Sequence, residues 1–127
     1  MEIRVVGEAS APFLSISGSR AALEWLGGHL RTASGSLDLA SGDPDPYDYV
    51  VDRLEHAVTD GPLVVSESAD RRVVRFTGGP WAFDTIAATF EHVAQEALDN
   101  HHQHVEHLPI DHPLCGPDSI PFVIEFP

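Results

Sequence analysis

The densest chemistry in this chain lies in one short run, His101-His102-Gln103-His104-Val105-Glu106-His107, with His112 shortly after it. In an extended backbone side chains alternate between faces, so His102, His104 and Glu106 share one face. Imidazole and carboxylate are zinc ligands, and a catalytic zinc uses about three protein ligands plus water. The run is therefore a candidate zinc site on His102 and His104, with His112 or Asp111 added from the following loop. Strand geometry limits it. Residues i and i+4 stand about 13 Å apart at ~3.3 Å per residue, so His102 and Glu106 cannot share one ion. His102 and His104 are left as a pair in need of further ligands. The competing readings are adventitious metal binding to a histidine-rich surface and a polar strand face or edge that resists strand addition.

Nucleophilic chemistry has less behind it. Cys115 sits near His112, but a Cys–His pair needs spatial contact and an orienting group, and the residues show neither. Gly78-Gly79-Pro80 lacks the Lys and the spacing of a phosphate loop, and Pro80 removes one N–H donor, so it is a helix start.

A third constellation suits binding. Tyr47 and Tyr49 lie among Asp43, Asp45, Asp48 and Asp52, with no basic residue between Arg31 and Arg53. Aromatics supply buried contact area and carboxylates supply steering and pairing, which suits a basic protein partner. The alternative is a solvated loop that uses Asp in turns and caps. The whole chain leans the same way. Twenty Asp and Glu oppose seven Arg and no Lys, for a formal charge of −13. Such a surface argues against nucleic acid, whose phosphates need a basic face, and against anionic membranes. Acidity also serves solubility alone.

These residues need elements to hold them. With 127 residues, 43% of them apolar, one domain over 1–127 is expected. Leu14-Ser15-Ile16-Ser17-Gly18, followed by Ala22, Leu23 and Leu26, is echoed by Val74-Arg75-Phe76-Thr77-Gly78, followed by Ala82, Phe83 and Ile86. Each is a strand entering a helix through glycine, and each follows another short strand, Glu2 to Gly7 or Leu63 to Glu67. Two related strand-strand-helix-strand halves result, about 1–60 and 61–127. One helix runs from roughly Ser19 to Arg31, burying Leu23, Leu26 and Leu30; its Gly27-Gly28 pair weakens it or admits a neighbouring backbone. The other starts at Gly79-Pro80 and turns Phe83, Ile86, Phe90 and Val93 to one side. Trp25 and Trp81, near the helix starts, are expected in the core. Ser34 to Pro46 is a polar loop. Tyr47 to Val58 fits either helix or strand, with strand preferred. Ala69-Asp70 turns a hairpin, and Ile120 to Phe126 is a strand. The fold class is α+β, an antiparallel sheet with two main helices packed on one face.

The C-terminal half resembles the immunity protein 32 family of polymorphic toxin systems. The resemblance rests on His102-x-His104-Val105-Glu106, Pro109, His112-Pro113, Pro117-Asp118-Ser119 and a closing apolar strand with Glu125, together with Asp60-Gly61-Pro62-Leu63. Ile110-Asp111 departs from a glycine expected there. The resemblance implies a small, non-enzymatic cytoplasmic protein that neutralises a toxin by binding it, and it brings no catalytic residues. A lone cysteine and the lack of a visible signal peptide or membrane span fit that compartment. A metal-dependent hydrolase on the His102/His104 strand and a homodimer joined at a sheet edge are the alternatives.

Overall fold

A computed structural model describes residues 2–10, 13–44, 47–96, 101–105 and 119–126, with the backbone alone at 96, 101–105 and 126. The chain runs β1 (Ile3–Glu8), β2 (Phe13–Gly18), α1 (Arg20–Leu30), β3 (Ser34–Asp38), β4 (Tyr49–Val50), β5 (Arg53–Val58), β6 (Val64–Glu67), β7 (Val73–Gly78), α2 (Pro80–Glu96), β8 (His101–Val105) and β9 (Phe122–Phe126).

Both helices start where the sequence dictates. Ser19 is the N-cap of α1, its hydroxyl accepting from Ala22 N at 3.2 Å, which satisfies one orphan donor. Pro80 opens α2, and the Gly79 carbonyl accepts the first helical hydrogen bond, from Phe83 N at 3.1 Å. Alternate strand residues point inward: Ile3 and Val5, Leu14 and Ile16, Leu54 and His56, Val74 and Phe76, Phe122 and Ile124 are all buried. All but His56 join Leu23, Leu26 and Leu30 of α1 and Phe83, Ile86 and Phe90 of α2 in one apolar cluster.

The sheet differs from the expected single antiparallel one. Among the described residues two mixed sheets form, ordered β4-β1-β2-β9-β8 and β3-β5-β7-β6. Each holds one parallel pair, β2 with β9 and β5 with β7. Those pairs reveal how the repeat is built. The first half gives the hairpin β1-β2 to one sheet and the pair β5-β3 to the other. The second half gives the hairpin β7-β6 and the pair β9-β8 in the opposite sense. The halves have exchanged their closing strands, so neither sheet exists without both. Alternation along a strand fixes which face is buried and leaves the neighbour open, which is why the exchange was not legible.

Equivalent positions follow from the register. Leu14 pairs with Phe122, and Val74 pairs with Leu54. Thus Leu14 matches Val74, Leu54 matches Phe122, and His56 matches Ile124.

Two further differences are local. Ser34–Asp38 is a strand rather than loop, because its backbone pairs with β5 from Ser34–Ala57 to Asp38–Arg53; its Ser-Gly-Ser composition carries little strand propensity. Trp25 and Trp81 are solvent-facing, 42% and 56% exposed. At ~100° per residue Trp81 lies about 170° from the centre of the buried stripe of α2, and Trp25 about 130° from that of α1. Of the Tyr47 to Val58 stretch, Tyr49–Val50 and Arg53–Val58 are the strands β4 and β5, and Tyr47 and Asp48 form a bend.

Candidate functional site

The Tyr47–Tyr49 segment is held against both sheets. Tyr49 pairs with Gly7 of β1, and its ring occupies the space a side chain at Gly7 would fill, 2.5 Å from the ideal Cβ position. Its phenol donates to Glu67 Oε2 of β6 at 2.5 Å. Arg71 stacks on its ring, 5.3 Å from the centroid. Arg71 has φ of 59° in the β6–β7 turn, a conformation that turns tolerate at a cost. The Asp48 carboxylate accepts from Ala9 N at 2.8 Å and so ties the segment to the β1–β2 turn.

Electrostatics show what gathers here. Burial, then the negative charges of Glu125 and Glu8, hold the Tyr47 phenol above its ordinary pKa, against a hydrogen bond with Ser15. Burial and Glu67 push the Tyr49 phenol well up. Carboxylates of Glu8, Asp48, Glu67 and Glu125 therefore converge on two tyrosines from four separate stretches of chain. Sequence reasoning missed Glu8, Glu67 and Glu125, because they are distant in the chain and only the sheet pairing brings them to the segment.

Of the residues singled out, Asp43 and Asp48 are exposed and Tyr47 and Tyr49 half-buried. Asp43 lies on the rim of an open groove of about 680 Å³ with Glu2, Arg4, Ser17, Ser19 and Ser41. Asp45 lies outside the described residues. His102 and His104 stand on β8 opposite Glu125 and Val123; their side chains, like His112, Cys115 and Glu106, lie outside the described residues. Among those described, no three or more His, Cys, Asp or Glu side chains are grouped as for a metal ion.

A second polar cluster lies between α1 and β5. His29 stacks on Trp25 at 4.9 Å between ring centroids and meets His56 edge-on at 5.0 Å. His56, 3% exposed, also touches Phe83 at 5.6 Å. Burial and the neighbouring His56 lower the pKa of His29.

The described architecture is a duplicated α+β protein whose halves exchange strands. The family model described as immunity protein 32 matches it twice, over residues 14–67 and 73–127. The chain belongs to that family, which points to a role in toxin neutralisation. No curated protein and no solved structure matches the chain. Among the described residues no helix is long and apolar enough to cross a membrane.

Proposed function

We propose that this protein is a non-enzymatic immunity protein that neutralises a basic toxin in the cytoplasm by binding it, through the acidic surface of Asp43, Asp45, Tyr47, Asp48 and Tyr49. The family match carries the reading. The gathering of Glu8, Asp48, Glu67 and Glu125 around the two tyrosines supports the choice of surface. Half-buried rings fixed by hydrogen bonds lose little side-chain entropy on association, and the carboxylates steer a cationic partner.

Calorimetric titration against a candidate toxin domain, sought first among the genes beside this one, tests it. A tight complex whose affinity falls on Asp48→Asn is expected. No binding, or binding indifferent to Asp43→Asn and Asp48→Asn, contradicts it. Asparagine keeps an acceptor for Ala9 N, so the exchange removes charge and leaves the fold.

A further inference from the structure

Strand register and the helix repeat locate where the halves differ most in chemistry. His56 stands where the other half has buried Ile124, and His29 stands where it has Thr89. The architecture closes without imidazole at either position, so the pair is not a requirement of the fold.

Two of its ring nitrogens are open to ligation. His56 Nε2 lies 3.0 Å from the Thr32 carbonyl oxygen. A carbonyl only accepts, so Nε2 carries a proton, and in the neutral ring Nδ1 keeps its lone pair. A backbone carbonyl holding one ring nitrogen while the other stays bare is the usual support of a metal-binding histidine. His56 Nδ1 and His29 Nε2 are both buried without a hydrogen-bond partner among the described residues, a cost that needs offsetting. Edges of both rings border the space beside Gly35. An ideal Cβ there would be 2.8 and 3.0 Å from Cε1 and Nε2 of His29 and 3.0 Å from Cε1 of His56. A zinc ion about 2.1 Å from one nitrogen of each ring, at a tetrahedral angle, sets the ring centroids about 5.2 Å apart. The observed separation is 5.0 Å, which admits that bridge and is also that of an ordinary edge-on ring contact.

We propose that His29 and His56 form a two-nitrogen site for a borderline divalent cation of the zinc type, completed by water, at the joint of α1 and β5. Imidazole donors suit such ions better than calcium or magnesium, which prefer oxygen. The site is independent of the partner surface and of the His102/His104 run.

The run must be silenced before the site is read. The background chain carries His101→Ala, His102→Ala, His104→Ala, His107→Ala and His112→Ala. Zinc chloride titrated into it by calorimetry is expected to bind at about one equivalent per chain, weakened at least about tenfold by His56→Ile or His29→Thr. Both variants copy the other half and so should fold. In 15N spectra of the histidine rings zinc should shift His56 Nδ1 and leave Nε2 protonated. No zinc bound by the background chain, or unchanged binding in His56→Ile and His29→Thr, overturns the proposal.

Discussion

Gly27 and Gly28 are neighbours in α1 with opposite surroundings, and that contrast yields a sharp prediction. An ideal Cβ on Gly27 would lie 2.9 Å from the Ala87 carbonyl oxygen and 2.7 Å from Glu91 Cγ; on Gly28 it would meet nothing within 4 Å. Gly27 is the repeat equivalent of Ala87, so α1 and α2 cross where both halves carry a small residue. Alanine in place of helical glycine gains up to about 1 kcal/mol. Gly28→Ala should realise most of it, less some fraying near the helix end. Gly27→Ala gains the same propensity but must push a backbone carbonyl away, and overpacking costs about 1–3 kcal/mol. It also disturbs Glu91, held by Arg31 at 2.7 Å, an exposed pair worth under about 1 kcal/mol. The two variants should therefore differ by about 2 kcal/mol, one more stable than wild type and the other less. Urea unfolding followed by circular dichroism reads this as midpoints moving in opposite directions with unchanged slope. If Gly27→Ala is as stable as Gly28→Ala, the close helix crossing is wrong.

Other consequences follow from the same contacts. Tyr49→Phe loses the hydrogen bond to Glu67 and should cost about 1–2 kcal/mol at neutral pH. Because the folded phenol titrates above its unfolded value near 10, the unfolded state releases its proton first; wild-type stability should fall as pH rises past about 10, and Tyr49→Phe should flatten that fall. Strand exchange predicts one cooperative calorimetric transition, and fragments 1–60 and 61–127 that stay unfolded alone as monomers; two separable transitions would refute it. Trp81→Ala, on the solvent side of α2, should change stability by less than about 0.5 kcal/mol, measured by the same urea titration.

The legible parts of the fold were those written in local spacing. Ser19 and Gly79-Pro80 announce the helix starts, and the stripe of Phe83, Ile86, Phe90 and Val93 announces the buried side of α2. The same stripe placed Trp81 outside; expecting it in the core gave residue type more weight than its angle. Strand pairing was not written locally. Arg75 meeting Glu55 at 2.9 Å and Tyr49 reaching Glu67 both depend on neighbours far along the chain. The candidate surface was thus half visible, with Tyr47, Asp48 and Tyr49 contiguous and Glu8, Glu67 and Glu125 scattered. His56 was hidden differently: its alternation with Leu54 and Val58 marked a strand, and only the register against Ile124 shows it as an exception.

The proposed capture of a basic toxin by the acidic surface around Tyr47 and Tyr49 makes association depend on salt. Stopped-flow association with the toxin domain that calorimetry identifies as the partner, measured across ionic strength for wild type and for Asp43→Asn/Asp48→Asn, tests it most directly. The wild-type rate should fall about tenfold or more between low and high salt, with a slower and flatter response in the variant. Rates that are independent of salt, or identical in the two proteins, would contradict it.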